Sequence, residues 1–246
     1  MIKKILLLLC LMITLSGCVR YDVNINFHDV NNGTMIQQIK LSEQLTNLSQ
    51  GESNIWLKNL QNQAKKVDAK IKKISAEELE LIIPFNNGED LVEKFNQLFT
   101  TKIMEKSVNS LDQVDFISLS DFNTKMAITQ SNFLFFERNI INFQADLTPF
   151  GVPSNNGNII ISSGDLISLQ INFNFPWGAK LTTNDYPQWE KLSNQNYNIS
   201  LKAGQLNEFK AVFWLPNYIG FGSFFILVFI LLGYYLKYQK LPFVPN

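Results

Sequence analysis

The sequence predicts an α+β protein: an antiparallel β-sheet domain with two packed helices in its N-terminal half, plus one C-terminal transmembrane helix. Three observations predict this class. Within the domain, apolar residues recur at helical spacing only up to about residue 102. From residue 114 onward, short β-rich segments alternate with polar turns. Between Lys210 and Lys237 lie 26 uncharged residues, which is enough to cross a bilayer as a helix.

The first 17 residues have the layout of a bacterial lipoprotein signal peptide. Two lysines precede an apolar run from Ile5 to Leu15, which is too short to span a bilayer about 30 Å thick. Small Ser16 and Gly17 then precede Cys18. This pattern predicts cleavage before Cys18 and attachment of diacylglycerol to its thiol, which would anchor the chain firmly. The alternatives are an uncleaved signal anchor and a signal peptide cut elsewhere.

The first strand is predicted to begin directly after Cys18, because apolar and polar residues alternate strictly from Val19 to His28. The Asn-Gly pair at Asn32 favours a tight hairpin turn into a second strand over Thr34–Leu41. With so little chain between the lipid and the sheet, we expect the first and last strands to lie near each other. Both anchors would then hold one face of the sheet against the bilayer.

Apolar residues at helical spacing from Trp56 to Ile71 predict the first helix. Five lysines cluster at its expected end: Lys65, Lys66, Lys70, Lys72 and Lys73. They are candidates for contact with anionic lipid headgroups. Alternatively, they form a solvated face whose charges suit a helix C-terminus. A strand over Glu78–Phe85 and a second helix, with an acidic first turn and an apolar stripe from Leu91 to Phe99, are predicted to follow.

The C-terminal half is predicted to consist of short strands separated by polar turns, with no internal repeat. The predicted strands are Val114–Leu119, Thr124–Thr129, Phe133–Phe136, Ile140–Leu147, Asn158–Ser162, Leu166–Phe175, Tyr197–Leu201 and Glu208–Trp214. Three phenylalanines in one of them, Phe133, Phe135 and Phe136, belong to an apolar run without alternation. This run predicts a strand that is buried on both faces or lines a cavity, so these residues are candidate contacts for an apolar ligand, with core packing as the alternative.

Trp177 and Trp189 lie among turn-forming residues, and we interpret them as candidate contacts with a membrane or a protein partner. Capping of the sheet is the alternative. The apolar run from Tyr218 to Leu236 has aromatic residues near both ends and is followed by Lys237 and Lys240. By the positive-inside rule, the C-terminus is cytoplasmic and the domain extracytoplasmic. The small residues Gly220, Gly222 and Ser223 would let a transmembrane helix of a membrane protein partner approach. Alternatively, they belong to a single helix that has no partner.

Composition excludes several classes of function. Without residues 1–17 the chain has 19 basic and 21 acidic residues, so nothing indicates a nucleic-acid partner. The chain has one histidine, His28, and the only other cysteine, Cys10, is lost with the signal peptide. We therefore predict no catalytic residues, no metal site and no cofactor. Carboxylate pairs remain open as a basis for hydrolysis, the densest group being Asp112, Asp115 and Asp121.

Four short motifs carry a family resemblance: the lipobox before Cys18, Ser131 to Leu134, Pro176 to Ala179, and the Trp-Leu-Pro junction at Trp214. Together they resemble the DUF3153 proteins of cyanobacteria, a group related to the LppM lipoprotein domain. The resemblance covers nearly the whole chain and carries over no catalytic residue. It implies a plasma or thylakoid membrane location, and by analogy with LppM-type domains, which are associated with glycosylated phosphoinositides, recognition of lipid.

These inferences predict four segments: a signal peptide over residues 1–17, an extracytoplasmic domain over 18–214, a transmembrane helix over 215–237 and a cytoplasmic tail over 238–246. The expected function is non-enzymatic binding of a lipid or another apolar ligand at the membrane surface. The alternative is an assembly or scaffolding factor for a membrane protein complex.

Overall fold

The computed structural model of the chain describes residues 19–42, 58, 60–75, 77–100, 123–148, 151–153, 159–162, 167–183 and 188–239. The strands are β1 (Val19–Asp29), β2 (Asn32–Leu41), β3 (Lys70–Lys73), β4 (Glu78–Phe85), β5 (Thr124–Asn132), β6 (Phe136–Asp146), β7 (Gly151–Pro153), β8 (Ile159–Ser162), β9 (Ile167–Asn174), β10 (Ala179–Thr183), β11 (Gln188–Lys191), β12 (Asn196–Leu201) and β13 (Leu206–Pro216). The helices are α1 (residues 60–66), α2 (Gly88–Thr100) and α3 (Tyr218–Tyr238).

Two large sheets form most of the domain. One has seven strands in the order β11-β12-β9-β1-β2-β4-β3, and the other has four in the order β10-β13-β6-β5. The short strands β7 and β8 pair with each other in a separate two-stranded sheet. Among the described strands every pairing is antiparallel except that of β1 with β9, where Val19 lies opposite Ile167 in parallel. The α+β class is therefore confirmed. The prediction of an antiparallel sheet is wrong at this one pairing. A long stretch of chain separates β1 from β9, and such a connection allows the two strands to run in the same direction.

The core lies between the inner faces of the two sheets. Phe27 of β1 is at its centre, with ring centroids 5.4 Å from Phe85 of β4 and 4.7 Å from Phe213 of β13. Strict alternation along β1 explains this arrangement, because every second side chain of a strand points to the same face. Phe27 is 2% exposed, and burial of such a ring stabilises the fold by about 1.5–3 kcal/mol.

Helix α2 closes one end of this core. The side chain of Asn87 accepts a hydrogen bond from the backbone N–H of Asp90 at 2.9 Å and so caps the helix. On its buried stripe, Phe95 contacts Phe143 of β6 at a centroid distance of 6.0 Å. Asn96 both accepts from the N–H and donates to the carbonyl of Met126 on β5, each at 3.0 Å. The helix is thus tied to the four-stranded sheet by packing and by paired hydrogen bonds.

The first helix ends earlier than the sequence predicts. Asp68 has a positive φ of 55°, and the N–H of Ala69 donates to the carbonyl of Ala64 at 3.0 Å, as at a helix C-terminus. The chain then turns into β3, so Lys70–Lys73 form a strand at the edge of the seven-stranded sheet. The prediction of one helix through Ile71 is wrong, because local helical spacing cannot show that β4 offers a free edge for pairing.

The first and last strands meet, but only at one end and in different sheets. The N–H of Val30, just after β1, donates to the carbonyl of Pro216 at the end of β13 at 3.4 Å. Val19 is at the opposite end of β1, and 11 extended residues span about 35 Å. The expected proximity of the first and last strands is therefore confirmed at the end of β1 near Val30 and does not extend to Val19.

Candidate functional site

A tight turn joins β5 to β6 at the end of the four-stranded sheet. The N–H of Phe133 donates to the carbonyl of Phe136 at 2.8 Å, which closes the turn. Phe133 is 51% exposed and Leu134 61% exposed. The prediction of a buried strand over Phe133–Phe136 is wrong, because an apolar run without alternation also suits a hairpin tip that presents its side chains outward.

This turn contacts the beginning of α3. The carbonyl of Phe135 accepts a hydrogen bond from the N–H of Asn217 at 2.9 Å, and its ring lies 5.0 Å from Phe221 and 5.4 Å from Phe224. The Asn217 side chain caps α3 by accepting from the N–H of Gly220 at 3.1 Å. Backbone and ring contacts together hold the first turns of α3 against the hairpin.

The same turn belongs to a group of neighbouring aromatic side chains, which we name the aromatic collar: Phe133, Phe135, Phe136, Trp177 and Trp214. Phe133 and Phe136 lie 5.8 Å and 5.9 Å from the ring of Trp214, and Phe136 lies 6.2 Å from Trp177. Both tryptophans are exposed. Helix α3 continues from the collar for 21 residues and is long and apolar enough to cross a membrane.

The turn from Pro176 to Ala179 places Trp177 in the collar. Gly178 has a φ of +75°, and a Cβ there would lie 2.7 Å from the carbonyl oxygen of Asn194. The hydroxyl of Tyr197 accepts from the N–H of Ala179 at 3.1 Å and donates to its carbonyl at 2.8 Å. The turn is therefore held against β12 by Tyr197 and against the loop before it by Gln195, whose side-chain amide donates to the carbonyl of Pro176 at 2.6 Å. These bonds fix the backbone that carries Trp177.

A groove with a volume of about 910 Å³ opens beside the collar, on the outer face of the four-stranded sheet. Its lining includes four cationic side chains, and none of the described lining residues is acidic. The cations are Arg138, Lys180, Lys191 and Lys210. Trp177 and Trp214 line the end of the groove that adjoins the collar. We name this feature the basic groove.

Strand register explains why the cations share a face. Arg138 on β6 lies opposite Trp214 on β13, and Lys180 on β10 lies opposite Val212. Lys210 is two residues before Val212, so its side chain points the same way. Lys191 reaches the groove from β11, with its Nζ 5.8 Å from the ring centroid of Tyr197.

A family model described as protein of unknown function (DUF3153) matches residues 23–242. The match covers most of the chain, including both sheets, the collar and α3. The chain belongs to the DUF3153 family. The resemblance found in the sequence motifs is thereby confirmed. The match includes Trp177 and Trp214, which line both the collar and the groove.

One solved structure similar to this DUF3153 chain is the NMR structure of the folded domain of the Mycobacterium tuberculosis LppM protein. It is 11% identical, the match covers 82% of this chain and 92% of that one, and the TM-score is 0.48. No curated protein matches the chain.

Some of the site residues predicted for this DUF3153 chain are brought together and others are not. Phe133, Phe135, Phe136 and Trp177 all belong to the collar. Trp189 is on β11, 42% exposed, with its ring 6.3 Å from Tyr197. The strand β3, at the other edge of the seven-stranded sheet, carries Lys70, Lys72 and Lys73, whereas Lys65 and Lys66 end α1. Lys72 pairs with Glu80 at 3.4 Å. The lysines and Trp189 therefore do not form one surface.

Other predictions fall on parts of the chain that the structure leaves undescribed. Cys18 and the three aspartates Asp112, Asp115 and Asp121 lie outside the described residues, as does the predicted strand Val114–Leu119. His28 is exposed on β1. Within the described ranges, no group of three or more His, Cys, Asp or Glu residues is placed to hold a metal ion.

Sequence reasoning missed the basic groove of this DUF3153 chain. Arg138, Lys180 and Lys210 are far apart in the sequence, and β10 was not predicted as a strand. The available signal was alternation: Lys180 with Thr182, and Lys210 with Val212 and Trp214, occupy every second position. Only the pairing of β10, β13 and β6 turns these positions into one face.

Proposed function

We propose that this protein is a non-enzymatic, membrane-anchored lipoprotein whose extracytoplasmic domain binds lipid at the bilayer surface. The observation that carries the proposal is the contact of the collar residue Phe135 with Phe221 and Phe224 on α3. If α3 spans a membrane, this contact puts the collar at the level where the helix enters the bilayer.

The chemistry of the collar fits such a position. Tryptophan rings combine an apolar body with a polar N–H and favour the boundary between headgroups and hydrocarbon. Trp177 is 55% exposed and Trp214 is 38% exposed. Exposure of this much neighbouring apolar surface to water is unfavourable. Lipid contact gives these rings an apolar environment while the domain remains outside.

Anchoring at both ends belongs to the same proposal. Cys18 would carry diacylglycerol, residues 18–214 would be extracytoplasmic, and the tail after α3 would be cytoplasmic. The family resemblance favours the plasma or thylakoid membrane. Mass spectrometry of the N-terminal peptide of the mature full chain tests the first point. The diacylglyceryl mass on Cys18 is expected, and its loss in a Cys18→Ser variant is the control.

Tryptophan quenching in nanodiscs tests the position of the collar. The chain has four tryptophans, so a full-chain variant with Trp56→Phe and Trp189→Phe keeps only Trp177 and Trp214. Lipids brominated near the headgroup should quench these two more strongly than lipids brominated at the bilayer centre. A matched variant that keeps only Trp189 should show little quenching. Equal quenching in both variants would overturn the proposed position of the collar.

Crosslinking separates lipid binding from the alternative of an assembly factor. A photoreactive residue in place of Trp177, in the full chain in its native membrane, should yield lipid adducts. One dominant protein adduct with no lipid adduct would contradict lipid binding and support the assembly function.

A further inference from the structure

We propose that the basic groove is a binding site for the headgroup of an anionic membrane lipid. This inference rests on the proposed function, because it names the class of lipid that the domain would select. The headgroup, which carries a phosphate or sulfate group, would lie along Arg138, Lys180 and Lys210, and its glycerol end would lie toward the collar.

The first argument is uncompensated charge. None of Arg138, Lys180, Lys191 and Lys210 forms an ion pair with a carboxylate among the described residues. Lys180 and Lys210 repel each other, since they lie on the same face of the adjacent strands β10 and β13, two residues apart in register. An anion in the groove removes this repulsion, and the guanidinium of Arg138 offers paired donors that match phosphate oxygens.

The second argument is the position of the cations relative to the collar. Arg138 lies opposite Trp214, which belongs to the collar. Lys210 is four residues before Trp214 on β13, or about 13 Å along the strand. The positive charge therefore begins beside the collar and extends away from α3 by roughly the depth of a headgroup. Glu208 follows beyond Lys210 on the same face and ends the basic stretch.

The third argument is shape. The groove of about 910 Å³ is open along one side, as a site must be if its ligand stays embedded in a bilayer. Its wall at Gly178 is held by the Tyr197 hydroxyl, so the backbone around the opening is fixed before a ligand arrives. A lipid headgroup with its glycerol occupies more of this space than a free phosphate ion does.

Native mass spectrometry of the full chain released from nanodiscs tests the proposal. The nanodiscs contain phosphatidylcholine and phosphatidylglycerol in equal amounts, and the retained lipids are counted. The wild-type chain should retain phosphatidylglycerol in preference. A variant with Arg138→Gln, Lys180→Gln and Lys210→Gln should lose this preference by about tenfold or more.

The matched control removes three other cations. Lys40→Gln, Lys58→Gln and Lys125→Gln change the net charge by the same amount, at exposed positions that do not line the basic groove. This control should keep the preference for phosphatidylglycerol. An equal loss in both variants would show a response to net charge alone and would overturn the site. Circular dichroism of each variant checks that the fold is retained.

Two further outcomes distinguish the possible failures. Equal retention of both lipids by the wild-type chain overturns the anionic site but leaves lipid binding intact, whereas retention of neither overturns the proposed function as well. Inorganic phosphate added at about 10 mM should not displace the retained lipid. The lipid's glycerol end also lies toward the collar, which a free phosphate ion does not reach, and salt at about this concentration screens exposed charges only partly. Complete displacement would identify a site for free phosphate and contradict the proposal.

Discussion

The carbonyl oxygen of Leu134 packs directly against the Cα of Gly220, so that a Cβ at Gly220 would overlap it. This contact joins the tip of the β5–β6 hairpin to the first turn of α3. Gly220 is needed here for space, and the hydrogen bond from Asn217 to Phe135 depends on the same close approach. The junction between domain and helix is therefore a packed contact rather than a loose connection.

Gly220→Ala is expected to separate the hairpin from α3, because its Cβ would meet backbone that cannot move aside cheaply. We expect a loss of about 1–3 kcal/mol in the free energy of unfolding. Amide hydrogen exchange should accelerate at Asn217, whose N–H bonds to Phe135. Gly222→Ala is the control, because a Cβ at Gly222 meets nothing within 4 Å. Equal exchange rates in the two variants would contradict the role of the Leu134 contact.

Gly178→Ala is expected to strain the turn that carries Trp177. The position combines a φ of +75° with the carbonyl of Asn194 close to any Cβ, so a cost of about 1–3 kcal/mol is expected. Thermal unfolding in nanodiscs, followed by near-ultraviolet circular dichroism, measures the effect. Gly233→Ala, in open space on α3, should leave the unfolding temperature of the domain unchanged. An unchanged temperature in Gly178→Ala would show that the turn relaxes without cost.

Tyr197→Phe removes the hydroxyl that both accepts from and donates to the backbone of Ala179. We expect a loss of about 1–3 kcal/mol, because the N–H and carbonyl of Ala179 lose a partner each. The fluorescence anisotropy of Trp177, with the other tryptophans replaced, should fall as the turn loosens. Tyr218→Phe is the matched control, since Tyr218 is 64% exposed. The prediction fails if the two variants have the same stability and anisotropy.

Asn96→Ala is expected to detach α2 from the edge of the four-stranded sheet. Its amide makes two hydrogen bonds to the backbone of Met126, which together contribute about 1–3 kcal/mol. Glu93→Ala, on an exposed position of the same helix, should change stability by less than about 0.5 kcal/mol. Chemical denaturation of the full chain compares the two. A larger loss in Glu93→Ala would contradict this account of α2.

Local pattern predicted the elements whose neighbours in space are also neighbours in sequence. The alternation from Val19 to His28 predicted β1, and the stripe from Leu91 to Phe99 predicted α2. The Asn-Gly pair predicted the β1–β2 hairpin, but its turn lies at Val30 and Asn31, and Asn32 and Gly33 already belong to β2. Each of these elements is determined by residues that are close to one another in the sequence. The apolar run at Phe133 was predicted to be a buried strand because apolar side chains are typical both of a protein core and of a surface that contacts lipid.

Long-range pairing could not be predicted. The lysines of β3 continue a helical spacing that Asp68 interrupts, and nothing local shows that β4 has an unpaired edge. The parallel pairing of β1 with β9 joins residues 148 positions apart in the sequence, and such contacts depend on the whole topology. The basic groove depends on three strands from distant parts of the chain. The residues of the groove could therefore not be recognised as a group from the sequence, because only the register of β10, β13 and β6 brings them together.

The length of β1 has a mechanical consequence for a chain held at both ends. Val30, just after its C-terminal end, bonds to Pro216, two residues before α3 begins, and its N-terminal end lies about 35 Å from there. If α3 spans a bilayer and Cys18 carries the proposed acyl group, that group reaches the bilayer only when β1 lies along the membrane surface. The strand would then act as a rigid strut that fixes the tilt of the domain, and loss of the lipid would let the domain rotate away from the membrane about the hairpin contact with α3.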